Sequence, residues 1–387
     1  MKKSLVYSEI FPPFHGGSGR WFWEVYKRLN VQEYVVLAGK FEQDEIFDSS
    51  SPLCIERVDF AYTSWSDWAL TSLKSIVFYI KLFFTTRKII KKHDIHNIHC
   101  GRCIPEGFIA YLMNVIYKTP YMCYIHGEDI ESAAESRAFV WIVSKALKRA
   151  NLLICNSENS KRLLLAHWKV DPARVQVVHP GVDTSVFVPQ ARNEDILADL
   201  RWQGKKVALT VSRLETRKGH DRMIEAIPQI VKDVPNFLYA IIGSGDEYQR
   251  LQALVEQLRV QSHVLFMANL SDQQMIQCYQ QSDLFVLPNR DVGRNIEGFG
   301  IVMIEAQACG TAVISGNSGG TPETLLHGQT GEVVDCTVAE NIANSVVALL
   351  NDDERRKTYQ CNAREHALKY DWAPSAKRIE TVCKQYL

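Results

Sequence analysis

Short apolar runs alternate with longer segments of helical periodicity along the whole chain, and this alternation restricts the fold more than any other feature. Each run has the length of one strand and is bounded by turn-forming residues. The predicted strands of the first half are Ser4–Ser8, Tyr34–Ala38, Ile95–His99, Tyr121–Ile125, Leu152–Asn156 and Val175–Val178. Those of the second half are Lys206–Val211, Phe237–Ile242, Val264–Phe266, Leu284–Leu287 and Ala312–Ser315. Strands that alternate with helices predict parallel sheets covered on both faces.

The two series of strands are separated by a stretch rich in turn-forming residues. Pro180-Gly181-Val182-Asp183 is followed by Phe187-Val188-Pro189 and a polar run that ends at Glu194. Proline and glycine are typical of such boundaries, and 387 residues exceed one ordinary core. The sequence therefore predicts an α/β protein of two doubly wound domains that face a cleft. Ligands of such sheets lie beyond the carboxyl ends of the strands.

The composition excludes several classes of protein. The charges of the 44 basic and 44 acidic side chains cancel, whereas a nucleic-acid-binding protein usually has an excess of basic residues. The ten cysteines are scattered, unlike the disulfide framework of a small secreted domain. Neither a secretory signal pattern nor an apolar run of about 18 residues is recognisable. We therefore expect a cytoplasmic protein with no nucleic-acid partner.

One segment, residues 68–93, resembles a membrane-surface helix. It contains six basic residues and no acidic residue before Asp94. Apolar side chains recur at helical spacing: Leu73, Ile76, Val77, Ile80, Phe83 and Phe84. A basic amphipathic helix of this kind binds anionic lipid surfaces. The alternative is an ordinary helix of the α/β fold whose lysines face water.

A small cluster has the spacing of metal ligands. Cys100-Gly101-Arg102-Cys103 follows His96 and His99, but the second, separated pair of a zinc site is missing and the histidines lie at a probable buried strand. The sequence therefore predicts no metal site.

In the first half, two candidate ligand contacts come directly after predicted strands. Gly16 and Gly17 lie in a strand-to-helix turn, where backbone N–H groups can approach an anion. His126 follows the strand Tyr121–Ile125, and at this edge of the sheet it could donate to a sugar hydroxyl or a leaving oxygen.

In the second half, cations and glycines follow two strands. Arg213 and Lys218 lie in the loop after Lys206–Val211 and suit a diphosphate, since arginine offers a fork of donors and lysine a compact charge. A merely solvated charged loop is the alternative. Gly243 and Gly245 come after the next strand and permit close approach of the backbone to a ligand.

The stretch Asn295 to Glu305, NIEGFGIVMIE, follows the strand Leu284–Leu287. Gly298 and Gly300 precede a predicted helix, so backbone N–H groups at its start are available to a phosphate. Glu297 lies before this helix and Glu305 about two turns inside it. A carboxylate beside an anion site is explained if it accepts hydrogen bonds from sugar or ribose hydroxyls.

Taken together and in order, these motifs resemble family 4 of the retaining glycosyltransferases, which have the GT-B fold of two Rossmann-like domains. The resemblance includes Asn156-Ser157, Pro180-Gly181-Val182-Asp183, Lys218-Gly219, Gly243-Ser244-Gly245-Asp246 and the E-x7-E pair Glu297 and Glu305. The amino-acid sequence around Glu297 is most similar to that of bacterial phosphatidylinositol mannoside mannosyltransferases. By this resemblance, residues 1–185 and a C-terminal helix at about 370–387 form the acceptor-side domain, and residues 186–369 bind the donor.

The resemblance also implies a role for each candidate residue. Arg213 and Lys218 hold the donor diphosphate, and the backbone of Gly16, Gly17, Phe299, Gly300 and Ile301 completes that cradle, with Gly243 and Gly245 nearby. Glu305 accepts from the ribose, Glu297 contacts the transferred sugar, and His126 meets this sugar from the first domain. No divalent metal is required.

We therefore predict a retaining hexosyltransferase of cell-surface glycan synthesis that takes its sugar from a nucleotide diphosphate donor. GDP-mannose is the preferred donor and a UDP-sugar the alternative. The predicted acceptor is lipid-linked or a saccharide, at the inner face of the plasma membrane. Two other functions are a nucleotide-sugar epimerase of the same architecture and a non-catalytic sugar-nucleotide-binding protein.

Overall fold

The computed structural model describes residues 3–14, 16–59, 68 and 72–387. Its internal contacts divide the chain into two compact units, residues 1–180 with 372–387 and residues 181–371. Most of the predicted linker belongs to the second unit, because Val182 and Phe187 are buried in its core. The last helix, α15 (Trp372–Tyr386), belongs to the first unit.

The first unit is built on a sheet that has seven strands within the described residues. They are β1 (Lys3–Ser8), β2 (Tyr34–Gly39), β3 (Cys54–Val58), β4 (Ile95–Cys100), β5 (Tyr121–Ile125), β6 (Leu152–Cys155) and β7 (Val175–Val177). The order is β3-β2-β1-β4-β5-β6-β7 and every pair is parallel. The winding direction reverses between β1 and β4, which makes the sheet doubly wound.

Helices cover both faces of this sheet, so its central strands are buried on both sides. The helices are α1 (Gly17–Tyr26), α2 (Asp44–Ser50), α3 (Leu73–His93), α4 (Phe108–Tyr117), α5 (Glu128–Ala133), α6 (Arg137–Arg149) and α7 (Glu158–His167). The five residues of β5, Tyr-Met-Cys-Tyr-Ile, are all buried. A continuous apolar run of this kind has no solvent-facing side and therefore fits only the middle of a covered sheet.

The second unit repeats the plan with a sheet of six strands in the described part of the chain. They are β8 (Lys206–Val211), β9 (Phe237–Ile242), β10 (Val264–Met267), β11 (Leu284–Leu287), β12 (Ala312–Gly316) and β13 (Gly331–Val334), all parallel in the order β10-β9-β8-β11-β12-β13. The helices are α8 (Glu194–Asp199), α9 (His220–Asp233), α10 (Tyr248–Gln257), α11 (Asp272–Gln281), α12 (Ile301–Ala308), α13 (Ala339–Asn351) and α14 (Asp353–Ala367). The predicted fold class, two doubly wound parallel sheets, is confirmed.

Two strands were not predicted from the sequence, and both lie at the edge of a sheet. β3 has four half-buried residues and one exposed residue, and three of the four residues of β13 are half-buried. Edge strands pair on one side only and tolerate polar residues such as Glu56, Arg57 and Glu332. Their apolar pattern is therefore too weak to mark a strand.

Helix α3 points its apolar stripe away from the core. Its buried residues are Ser75, Tyr79, Leu82, Thr86 and Ile89. The residues that define the apolar spacing in the sequence are largely exposed, with Leu73 at 82% and Phe84 at 58%. Residues 69–71 of the predicted segment lie outside the described residues. Among the helices that the structure describes, none is long and apolar enough to span a bilayer.

Candidate active site

The second unit brings two loops together at the carboxyl ends of neighbouring strands. One loop follows β8 and the other follows β11, and these strands pair directly. A Cβ on Gly219 would lie 1.8 Å from the carbonyl oxygen of Pro288, and the residue has φ of 76°. Only glycine fits there, because an added Cβ would overlap the backbone of the other loop. The backbone N–H of Arg290 also donates to the carbonyl of Arg217 at 2.9 Å.

Glu297 lies where these two loops meet. Its Oε2 accepts a hydrogen bond from Nη1 of Arg217 at 2.6 Å and another from Nζ of Lys218. Burial alone raises the pKa of Glu297, but the charges and hydrogen bonds of Lys218 and Arg217 outweigh it and lower the pKa to about 2. Glu297 is therefore an ionised, immobilised carboxylate at neutral pH.

Arg217 is the site residue that the sequence prediction missed. Its side chain is 4% exposed and bridges two carboxylates, Glu297 at 2.6 Å and Glu215 at 3.2 Å. The available signal was the presence of three basic residues at 213, 217 and 218. Nothing in the residue types distinguishes the one that turns inward, because this depends on the 3₁₀ turn Thr216–Lys218.

Arg213 lies apart from Glu297. Its side chain is 65% exposed and pairs with Glu215 at 2.6 Å. Glu215 in turn contacts Arg217, so the two arginines are connected through one carboxylate. The two cations predicted to bind the diphosphate therefore differ in accessibility. Arg213 is exposed, whereas Lys218 is largely buried, with 8% of its surface exposed.

The start of α12 follows directly after Glu297. Gly300 precedes the helix with φ of 88°, in the left-handed region that favours glycine. Phe299 is buried and its ring lies 6.1 Å from that of Tyr370, while Ile301 is half-buried as the first residue of the helix. The first N–H groups of a helix have no intrahelical acceptor, so this segment offers donors to an anion.

Glu305 is far less accessible than Glu297. It is 3% exposed inside α12, and its Oε2 accepts a hydrogen bond from the hydroxyl of Tyr279 at 2.9 Å. The structure therefore places the two glutamates of the E-x7-E motif in different surroundings, one between two cations and one beside a phenol.

Gly243 and Gly245 bring the loop after β9 against the loop after β8. A Cβ on Gly243 would lie 1.9 Å from the carbonyl oxygen of Ser212, and one on Gly245 would lie 2.5 Å from that of Leu214. Their φ angles are 149° and 156°. Within the described residues, these glycines approach the backbone of the loop that carries Arg213 and thereby position it. Their predicted approach to a ligand stays a prediction.

An ion pair also connects the loops. The guanidinium of Arg290 donates two hydrogen bonds to the carboxylate of Asp221, both at 2.8 Å. Asp221 lies in the first turn of α9 and is also 3.3 Å from Arg250. Burial raises the pKa of Asp221, but Arg290 and Arg250 together hold it below its ordinary value. We call Asp221 and Arg290 the loop clamp, because they link the segment bearing Arg217 and Lys218 to the segment bearing Glu297.

In the first unit, the predicted residues lie near the carboxyl ends of β1 and β5. Gly16 precedes α1 and Gly17 is its first residue. His126 is buried, and its Nε2 donates to the carbonyl of Gly101 at 2.8 Å while its Nδ1 accepts from the hydroxyl of Ser18 at 3.3 Å. Burial lowers the pKa of His126, with opposition from Asp129. The ring is thus a neutral imidazole whose two nitrogens both bond to protein.

Metal-ligand geometry is not found in the described residues, where no group of three or more His, Cys, Asp or Glu side chains is arranged around a common point. The cysteines of the predicted cluster are buried, and Nδ1 of His99 lies 2.7 Å from the hydroxyl of Tyr26.

Comparison with solved structures identifies the class of fold. Sucrose-phosphate synthase of Thermosynechococcus elongatus superimposes with a TM-score of 0.84 at 20% identity, covering 100% of this chain and 99% of that one. HepE of Anabaena, in complex with UDP and glucose, gives a TM-score of 0.83 at 19% identity over 100% of both chains. The fold is therefore GT-B, as predicted.

The sequence comparisons identify the family. Residues 14–186 match the model described as Glycosyltransferase Family 4, and residues 192–366 match the model Glycosyl transferases group 1. A GDP-mannose-dependent alpha-(1-6)-phosphatidylinositol monomannoside mannosyltransferase of Mycolicibacterium smegmatis is 30% identical, over 76% of this chain and 77% of that protein. The protein of the same name in Mycobacterium tuberculosis is 26% identical over 99% and 96%.

A further relative, the D-inositol 3-phosphate glycosyltransferase of Corynebacterium aurimucosum, is 28% identical over 72% of this chain and 69% of its own length. The chain belongs to the glycosyltransferase family that these relatives and the two matching models define. The predicted enzyme class, glycosyltransferase, is thereby confirmed.

Proposed function

We propose that this glycosyltransferase transfers mannose from GDP-mannose to a lipid-linked acceptor with retention of the anomeric configuration. The observation that carries the proposal is the convergence of Arg217, Lys218 and Glu297 at the ends of β8 and β11, next to the start of α12. This arrangement combines cations and helix N–H groups for a diphosphate with an ionised carboxylate for sugar hydroxyls. The GDP-mannose-dependent relatives support the choice of donor.

In this proposal the second unit binds the donor. Arg213, which is exposed, and Lys218 bind the diphosphate and neutralise the charge that develops on it as the sugar leaves. Backbone groups at Phe299 to Ile301 extend the anion site. Glu305 accepts a hydrogen bond from a ribose hydroxyl. For this, the hydroxyl of Tyr279 must either move away from the Glu305 carboxylate or share it with the ribose.

The environment of Glu297 favours one of two routes to retention. Double displacement requires a carboxylate nucleophile below the anomeric carbon. Because Arg217 and Lys218 both contact Oε2 and lower the pKa of Glu297 to about 2, this carboxylate is a weak nucleophile. We therefore propose that Oε1 of Glu297 accepts from a sugar hydroxyl. The leaving phosphate then helps to deprotonate the acceptor on the same face.

The first unit binds the acceptor and the membrane surface in this proposal. Leu73, Val77, Ile80 and Phe84 form an exposed apolar stripe on α3, and the same helix carries Lys74, Lys81 and Lys88. Each basic residue near an anionic leaflet contributes about 1 kcal/mol. The enzyme would therefore act as a peripheral protein on the inner face of the plasma membrane. Liposome flotation with and without anionic lipid tests this, and equal recovery in both would contradict it.

Calorimetric titration with GDP and UDP tests the donor. We expect tighter binding of GDP, and NMR of the product formed from GDP-mannose should show the α configuration of the donor. Binding of UDP but not GDP would replace mannose transfer by transfer from a UDP-sugar, for which the UDP and glucose bound to HepE provide a precedent. Binding of neither nucleotide would overturn the proposal in favour of a non-catalytic protein. Conversion of the nucleotide sugar itself would indicate an epimerase.

A further inference from the structure

The loop after β12 packs behind the segment that carries Glu297. We call residues 317–321 the backing loop. β12 pairs with β11 in parallel, and the loops after two paired parallel strands leave the sheet at the same edge. The segment after β11, residues 288–300, lies between β11 and α12 and belongs to neither a helix nor a strand. The backbone position of Glu297 within this segment therefore depends on the residues packed against it.

The backing loop contacts Glu297 directly. The backbone N–H of Gly320 donates to the carbonyl of Glu297 at 2.9 Å. Gly319 has φ of 59°, and a Cβ there would lie 1.9 Å from the same carbonyl oxygen, so only glycine allows this approach. A Cβ on Gly300, directly before α12, would lie 2.8 Å from the methyl carbon of Thr321. The backing loop thus packs against Glu297 and against the start of the helix that follows it.

Asn289 joins the segment after β11 to the backing loop. It is 1% exposed. Its Nδ2 donates to the carbonyl of Ser318 at 3.1 Å and to the hydroxyl of Thr321 at 2.6 Å. Its Oδ1 accepts from the backbone N–H of Gly316 at 3.2 Å. Both N–H donors and the carbonyl of the amide are therefore used, and all three contacts lie at or just after the end of β12.

The partners of Asn289 allow only one orientation of its amide. The hydroxyl of Thr321 donates to the carbonyl of Ser318 at 2.5 Å, and a hydroxyl has a single proton to donate. Toward Asn289, the hydroxyl of Thr321 and the carbonyl of Ser318 therefore both act as acceptors. An amide turned the other way would place its oxygen against two oxygens, which would leave buried polar groups without hydrogen bonds.

The contacts to the side chain of Glu297 leave its position incompletely defined. Arg217 and Lys218 both bond to Oε2, so they fix one oxygen of the carboxylate. The direction of Oε1 then depends on where the backbone of Glu297 lies. A group that contacts a substrate from a loop is precise only when a second layer of contacts restrains it.

We propose that Asn289 is a positioning residue for Glu297. Its amide restrains the backing loop, and the backing loop sets the backbone of Glu297 and with it the direction of Oε1. Asn289 acts through Ser318 and Thr321 and needs no contact with a ligand. This inference rests on the proposed function, in which Oε1 of Glu297 accepts a hydrogen bond from a hydroxyl of the transferred sugar.

Steady-state kinetics test the proposal. Asn289→Ala should lower kcat for mannose transfer at least about tenfold, because small displacements of a substrate-contacting group are costly. Affinity for GDP, which lacks the sugar, should change less than about twofold. Asn236→Ala is the matched control, since Asn236 is exposed before β9 and donates to the carbonyl of Gly204 at 2.8 Å. A kcat of Asn289→Ala within twofold of the unmodified enzyme would overturn the inference and leave mannose transfer standing.

Two variants of Thr321 keep the test valid if Asn289→Ala does not fold. Thr321→Val preserves the shape of the side chain and its methyl contact with Gly300, but it removes the hydroxyl that accepts from Asn289. It should lower kcat about threefold to tenfold. Thr321→Ser keeps the hydroxyl and should retain a kcat within about twofold of the unmodified enzyme. Equal kcat values for the two variants would contradict a role for this hydrogen bond.

Amide hydrogen exchange gives a readout that does not depend on activity. Exchange at Gly320, whose N–H bonds to Glu297, should become at least about tenfold faster in Asn289→Ala and in Thr321→Val, and should stay unchanged in Asn236→Ala. Unchanged exchange in both site variants would overturn the inference. If exchange responds as expected but the unmodified protein neither binds GDP nor transfers mannose, the restraint on Glu297 stands and the proposed function fails.

Discussion

The charged side chains of the two units differ in how completely they are paired by ions and hydrogen bonds of opposite charge or polarity. In the second unit, Glu297 is neutralised by Arg217 and Lys218, and the loop clamp of Asp221 and Arg290 supports them. In the first unit, Arg102 and Glu9 are 3.9 Å apart and Glu106 keeps one buried oxygen without a partner among the described residues. The contrast suggests that the second site is preorganised, with Glu297 as the counter-charge of its cations. In the first unit, by contrast, Arg102 and Glu9 are farther apart than Arg217 and Glu297 in the second unit.

The largest expected effect is on the turnover rate and follows from removing the positive charge of Lys218. Lys218→Gln should lower kcat for mannose transfer by about 10² to 10³, because a positioned charge that stabilises the leaving group is lost. Lys232→Gln, an exposed change on α9, is the matched control. Steady-state kinetics and circular dichroism on folded protein check this, and a kcat within twofold of the unmodified enzyme would remove Lys218 from the reaction.

Substitutions of the two arginines of the second site should affect stability and GDP binding differently. Arg217→Gln should cost about 3 kcal/mol of unfolding free energy, since it removes a buried partner of Glu297. Arg213→Gln should change stability by less than about 0.5 kcal/mol because Arg213 is exposed. It should nevertheless weaken GDP binding about tenfold. Urea denaturation and GDP titration measure both quantities, and equal stability losses would contradict the difference in burial.

Acid sensitivity tests the charge state of Glu297. Its pKa is lowered in the folded protein from 4.5 to about 2. Its stabilisation is therefore present above pH 4.5 and is lost as the pH falls from 4.5 towards 2. The unmodified protein should lose about 3 kcal/mol more stability over this interval than Glu297→Gln does. Parallel pH profiles of the two proteins would show that Glu297 is not held ionised by its neighbours.

The loop clamp should give the smallest effect. Asp221→Asn should speed amide hydrogen exchange in residues 215–219 and 290–298 about tenfold, because the bidentate contact to Arg290 restrains both loops. Glu225→Gln, on the same helix and paired with Arg222, should leave exchange unchanged. Faster exchange in only one of the two loops would mean that Asp221 stabilises its own helix rather than the connection.

The sequence predicted the strands of both sheets that have continuous apolar runs, and it predicted which loops carry the candidate site. It missed β3 and β13, since edge strands have weak apolar patterns. It did not identify Arg217, because three nearby basic residues look alike until the 3₁₀ turn directs one of them inward.

The residue order by itself determined the fold class, since strand length and helical periodicity are local properties that any covered parallel sheet requires. It also placed Glu297 and Lys218 in loops that follow strands. Only the tertiary structure decided which charges meet, because the partners lie far apart along the chain. Lys218 and Glu297 are 79 positions apart, and their contact depends on the pairing of β8 with β11. Likewise, the incomplete pairing of Glu9 with Arg102 follows from the adjacency of β1 and β4, which no local pattern encodes.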